Sequence, residues 1–220
     1  PFKMKTENIF PTPNFGSNFA PSYMIISIWV GCAMLISVLK TTLPKGNRWG
    51  KYSIKEEYFG KMIIFNILSI IQTFIIINTS VFILHVEVQE LFLLELFAML
   101  VSLVFSTFVY TLASLFGNIG KAITVMLAAF QIAGSGAIYP IQLEPYIYRF
   151  FQPFFPFTYA VSGFREAISG ITVGTLIFDC IMLSMFYFFS IMIAIFLKPK
   201  IYRYTLRLED DFVKSGIGEQ

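Results

Sequence analysis

Apolar residues run in long blocks along this chain, without the short alternations of a half-exposed sheet. Five blocks read as membrane spans, at about 19–39, 59–84, 91–116, 123–139 and 171–197. Their lengths bracket the ~20 residues that cross a ~30 Å hydrocarbon layer at about 1.5 Å per residue. A further apolar stretch, AGSGAIYPIQLEPYIYRFFQPFFPFTYAVSGFREA at 133–167, is interrupted by Gly134, Gly136, Pro140, Pro145, Pro153 and Pro156. The pattern predicts two short helices there, one from Pro145 and one after Pro156. The second places Phe157, Val161, Phe164 and Ile168 on an apolar face, with Ser162, Arg165, Glu166 and Ser169 toward the other side. A broken hairpin of this kind suits a re-entrant or interfacial element, because non-helical backbone survives at membrane depth only where protein or water satisfies it. The predicted fold is an all-α integral membrane protein, a five-transmembrane-helix bundle with an external re-entrant helical hairpin.

Composition agrees with that pattern. Of 220 residues, 56% are hydrophobic and 13% charged, against roughly 25% charged in ordinary soluble domains. Mean hydropathy is +0.72. The net charge of +3 is carried unevenly. Lys40, Lys45, Arg48, Lys51, Lys55, Lys61, Lys121, Lys198, Lys200, Arg203, Arg207 and Lys214 fall on one side of the bundle, and Lys3, Lys5, Arg149 and Arg165 on the other. Basic residues near span ends stay cytoplasmic, so the N-terminal end is expected outside and the tail at 198–220 inside. This arrangement suits membrane topology rather than nucleic acid. A chain that starts at Pro1 with its N-terminal end outside is expected to continue a longer protein, preceded by at least one further span. Residues 1–18, with Pro11, Pro13 and Gly16, read either as an extended link from a missing external domain or as a frayed end.

Polar positions within the spans supply the candidate chemistry. Ser102, Ser106, Tyr110 and Ser114 recur every four residues along one helical face. Ala129, Ala133 and Ala137, and Ser27 with Gly31, have the same spacing, and all read as close-packing seams. Asn66, Gln72, Asn78 and Gln131 are expected to hydrogen-bond between helices. Asp179 is the costly residue, at roughly 2.5–3.5 kcal/mol for a central carboxylate. It lies about two turns from the outer end of its span, and reads either as a functional acid or as a tolerated polar group. Cys32 and Cys180 read as small buried thiols. His85, Glu87, Glu90 and Glu95 form a solvated mouth rather than a metal site. No cofactor or metal is expected.

The connection KTTLPKGNRWGKYSIKEEYFGK at 40–61 holds Ser53 with Glu56 three residues on, the spacing of a capping box. It predicts a short basic helix at the cytoplasmic face, with Trp49, Tyr52 and Tyr58 in the headgroup layer. Ser53, Lys55, Glu56 and Glu57 form its candidate surface for a cytoplasmic partner. GSG at 134–136 lacks the flanking residues of a phosphate loop, and AGSGA lacks the glycines of a nucleophile elbow. No paired acid/base or nucleophile constellation marks an enzyme.

The blocks NFAPSYMIISIWVGC, SLFGNIGKA and QIAGSGAIYPIQLEPYIYRFFQPFFPFTYAVSGFREAISG resemble the C-terminal membrane portion of the YhgE/Pip family. Its members are known as phage infection proteins and are related to ABC type-2 permeases. The likeness covers most of Asn18 to Leu197. It implies one N-terminal span and a large extracellular region ahead of these spans, and a related branch comprises type VII secretion accessory proteins of the EsaA kind. Through the permease likeness, the helix near Ser53 to Phe59 occupies the docking place of a nucleotide-binding subunit, and 140–170 that of external re-entrant helices. A homodimer and a separate ATPase chain are the implied partners beside the lipid bilayer. Two functions follow: a permease-like export domain, or a non-transporting secretion accessory or anchor of a phage receptor.

Overall fold

The computed structural model describes residues 15–41, 53–138, 141–170 and 172–214. Pro140, Lys45, Arg48, Trp49, Lys51, Tyr52 and residues 1–14 lie outside the described residues. Seven α-helices follow in order: α1 Phe15–Val38, α2 Ile54–Asn78, α3 Leu91–Phe116, α4 Asn118–Gly134, α5 Tyr146–Phe151, α6 Pro156–Ser169 and α7 Val173–Lys214. Four of them, α1, α2, α3 and α7, are long and apolar enough to cross a membrane. The 17 residues of α4 reach about 25 Å, the lower limit of a span.

The helix bounds differ from the sequence expectations for local physical reasons. Helix α1 starts at Phe15 and carries Pro21 within its first turns, so 15–18 belong to the helix rather than to an extended link. In α2, Ser53 and Glu56 close a reciprocal capping box, and the helix runs on without a separate interfacial piece, ending in a π-helical turn at Thr79–Ile83. Helix α3 has the expected bounds. Where a fourth span was expected at 123–139, the structure has α4 at 118–134, five residues earlier. A single residue, Gly117 at φ 57°, separates α3 from α4, and the Lys121 amide bonds the Gly117 carbonyl, placing that lysine in the first helical turn. Helix α7 continues through Pro199 to Lys214, so the tail expected from 198 is largely an extension of the last span.

Helix α3 is the axis of the bundle, packed by α1, α2, α4, α6 and α7. Its hydroxyl seam is buried throughout, at Ser102, Ser106, Tyr110 and Ser114. Ser69 on α2 shares a 2.7 Å hydrogen bond with Ser102 and sits 3.2 Å from the Cys32 thiol on α1, so three helices meet at one polar point. Thr107 donates to Asn66 Oδ1 at 3.2 Å. On α1, Gly31 receives Gln72: an added Cβ would lie 1.3 Å from that amide nitrogen. Of the expected alanine stripe, Ala129 is exposed, Ala133 half-buried and Ala137, just past α4, buried; the buried face of α4 itself is Gly120, Thr124, Gln131 and Gly134. Apolar residues on the outer faces of α2 and α7, such as Ile67, Ile71, Met185 and Phe188, stay exposed, as lipid-facing positions should.

Helix α6 lies alongside α3 and runs back along it. Phe157 stacks on Phe105 at 5.7 Å and meets Trp29 edge-on. Phe164 meets Phe97, and the Ile168 carbonyl accepts the Gln89 amide. Phe105 lies fourteen positions past Leu91, about 21 Å along a helix of about 39 Å. So α6 starts near the mid-depth of the bundle and climbs to the end where α3 begins. Its expected apolar face, Phe157, Val161, Phe164 and Ile168, is fully buried.

Gly163 allows this approach, because an added Cβ would stand 2.2 Å from the Phe97 ring. Gly163→Leu is expected to destabilise the domain by about 1–3 kcal/mol through overpacking. Gly60→Ala, at a position with open space around it, should leave stability unchanged or slightly raised. Thermal unfolding of the purified protein in detergent checks both.

Candidate functional site, a carboxylate-lined cavity beside the returning helix

The two ends of the bundle carry different chemistry. At the end where α2 starts and α3 stops, Glu57 and Lys198 are both buried. Tyr202 donates to Glu57 Oε2 at 3.4 Å. Lys198 donates to Ser114 at 2.7 Å and lies 5.4 Å from the centre of the Tyr58 ring. Tyr58 itself bonds Thr111 at 2.8 Å, and the Tyr110 hydroxyl donates to the Tyr58 carbonyl. Thr205 donates to the Leu115 carbonyl. Tyr58 is therefore a core residue, not a headgroup anchor, and Lys198 is an internal cation, not part of a solvated tail. Of the candidate docking residues, Lys55 and Glu56 are exposed while Glu57 faces inward.

At the other end a cavity of about 440 Å³ opens between α6 and α7, lined in part by Gln152, Thr158, Ser162, Arg165, Glu166 and Asp179. Asp179 is 2% exposed. Ser162 lines the same cavity, and the Asp179 Oδ2 has no partner. Glu166 was expected on an outward polar face but is buried, because its Oε2 accepts the Thr172 amide at 2.7 Å and closes the turn into α7. Arg165 donates to the carbonyls of Gly136 and Ala137 at 3.0 and 3.2 Å. Ser22 on α1 donates to the same Ala137 carbonyl at 2.6 Å. The Tyr159 hydroxyl donates to the Pro153 carbonyl.

Proline and glycine set the turns of the chain leading to the cavity. Pro145 caps α5 and Pro156 opens α6 at its first position, where a missing amide costs nothing. Pro153 lies in the 3-10 turn at Gln152–Phe154. Gly134 ends α4 against the ring of Phe155, which an added Cβ would approach to 2.8 Å, and Gly136 adopts φ 71°. The other intramembrane candidates lie elsewhere: Asn66 faces Thr107, and Gln131 is buried with its Oε1 unpartnered. Near the π-turn, the Asn78 amide donates to Glu95 Oε1 at 3.1 Å. Among the described residues no group of three or more His, Cys, Asp or Glu could hold a metal. The sequence placed Asp179 in its span and Ser162 on the polar face of the second hairpin helix, but gave no sign of Gln152 or Thr158, and only the return of α6 brings the four to one cavity.

The ABC-2 type transporter family matches residues 19–169, and the chain belongs to that family. It is 29% identical over 169 residues to the uncharacterized protein YhgE of Bacillus subtilis (strain 168), which covers 77% of this chain and 21% of that protein. The chain thus spans about a fifth of that relative's length. No solved structure matches. The domain is a YhgE-like, permease-type, multi-pass membrane domain.

Arg165→Gln should lower the unfolding temperature, since the buried Ala137 carbonyl keeps only Ser22 and the Gly136 carbonyl loses its donor. The expected cost is about 1–3 kcal/mol. Arg165→Lys should recover part of it. Circular dichroism melts of the two variants beside the parent protein measure the difference.

Proposed function

We propose that this domain is the membrane subunit of an exporter in the bacterial cell membrane, working as a pair of copies with a separate ATPase. The supporting observation is a cavity lined by ionisable side chains beside a helix that starts at mid-depth of the bundle, in a chain of the ABC-2 type transporter family. In this reading α5 and α6 are the re-entrant hairpin, α4 is a fifth, short span, and the cavity faces the outer leaflet. The distribution of Lys and Arg supports that orientation, with the hairpin outside and the basic end of α7 in the cytoplasm. The ATPase docks at the start of α2, where Lys55 and Glu56 are exposed and the capping box fixes the helix direction.

Two measurements test the reading. Impermeant thiol reagents on intact cells should label a cysteine at Arg149→Cys and spare one at Lys200→Cys; the reverse pattern inverts the topology and removes the docking site from the cytoplasm. Affinity isolation of the full-length protein should recover an ATPase subunit, and Lys55→Glu combined with Glu56→Gln should abolish that recovery. Gln at 56 keeps the capping-box acceptor, and Glu57 is left intact because it holds Tyr202. Recovery of type VII secretion components, or of no ATPase at all, would instead favour an accessory or phage-receptor anchor.

A further inference from the structure

We propose that the cavity between α6 and α7 is a binding site for an organic ammonium group, with Asp179 as its counter-charge. This deepens the proposed function by naming the charge of the ligand, and it rests on that reading only in treating the ligand as cargo. The first observation is the unpartnered Oδ2 of Asp179, on a side chain 2% exposed and lining the cavity. A buried carboxylate left with an open acceptor is costly, and a cation that donates to it removes that cost. Ser162 and Thr158 line the cavity beside Asp179 and give the space polar walls next to the open oxygen.

The local charge balance gives the sign. Two carboxylates, Asp179 and Glu166, and one guanidinium, Arg165, line the space. The guanidinium is turned to the carbonyls of Gly136 and Ala137, while Glu166 is turned to the Thr172 amide. Asp179 is the carboxylate whose oxygen lacks a protein donor. An anionic ligand would meet that oxygen and gain no new donor from it, whereas an ammonium supplies the missing N–H. The walls select an organic cation over a bare ion. Tyr159 and Phe178 both line the cavity, with ring centres 6.0 Å apart at 62°, and aromatic faces attract alkylammonium groups while covering their carbon chains. The volume of about 440 Å³ is that of a small-ligand site. Phe178 is 54% exposed on the outer face of α7, so the aromatic wall reaches the bundle surface.

The test uses three probes of matched size and different charge: phenethylammonium, 2-phenylethanol and phenylacetate. Their dissociation constants are measured on the purified full-length protein in dodecyl maltoside micelles, without nucleotide. The ammonium is expected to bind at least tenfold more tightly than the alcohol or the acid, and Asp179→Asn should abolish that preference while Asp179→Glu keeps part of it. Phosphatidylethanolamine, added against phosphatidylglycerol, identifies the source: competition by the former assigns a lipid amine, and absence of competition assigns a soluble one. Should Asp179→Asn fail to fold, Thr175→Cys in the cavity wall gives an independent reading. A cationic methanethiosulfonate should modify that cysteine about tenfold faster than an anionic one of equal size, after subtraction of the parent rate. Equal binding of the three probes, a preference retained in a folded Asp179→Asn protein, or equal modification rates would overturn the assignment. None of these measurements involves the ATPase, so the export reading stands or falls separately.

Discussion

Backbone that leaves a helix inside hydrocarbon must find its hydrogen-bond partners within the protein, and the segments around 135–137 and 152–155 are where this chain meets that constraint. Side chains meet it. The Ser135 hydroxyl accepts the Ala137 amide, Arg165 and Ser22 donate to the Gly136 and Ala137 carbonyls, Thr158 donates to Gln152, and Tyr159 to Pro153. Those donors let the chain break α4 at Gly134 and return as α6 alongside α3. Without that return, Gln152, Thr158 and Ser162 would not line a cavity with Asp179. The polar residues of the hairpin are thus first a solution to a solvation problem, and the site follows from the solution.

The same logic divides the bundle along its length. In the middle, single hydroxyls and amides suffice: Ser69 joins Ser102 and the Cys32 thiol, and Thr107 meets Asn66. Hydrogen bonds of this kind contribute only about 0.6 kcal/mol each on average in membrane helices, so close packing around Gly31 and Gly163 carries more of the cohesion. Charge is kept to the two ends. At one, Lys198 and Glu57 are buried with Ser114, Tyr58 and Tyr202 around them. At the other, Arg165, Glu166 and Asp179 surround the cavity. Helix α7 contributes to both, through Asp179 at one end and Lys198 and Tyr202 at the other.

Much of this was legible in the sequence, and the misses share one cause. Helix α3 was legible to the residue because a long, mainly apolar run with Glu95 as its single charged residue lies between Glu90 and Gly117. The capping box at Ser53 and Glu56 was readable because both partners lie within one turn. The start of α4 was misplaced because Lys121 looked like a loop charge, whereas one glycine with positive φ lets the chain reverse without a loop. Tyr58 was taken for a headgroup anchor because its burial depends on Lys198, 140 positions later. Glu166 was placed on a polar face because its acceptor role toward the Thr172 amide appears only once α7 turns away from α6. Periodicity reports which face a residue occupies, and tertiary contacts decide what that face meets.

Asp179 differs from every other buried charge just described. Glu57, Glu166, Lys198 and Arg165 each have a donor or acceptor that explains their burial, and each joins two elements of the fold. Asp179 has an Oδ2 with no hydrogen-bond partner. A purely structural carboxylate would be expected to end in the same condition as Glu166, closed by a backbone amide or a cation of the chain. Leaving an acceptor open at this depth carries a stability cost that an asparagine or a leucine at the same position would avoid. That cost is offset when the missing partner arrives from outside the chain, which is the physical ground for reading this residue as part of a binding site rather than as part of the scaffold.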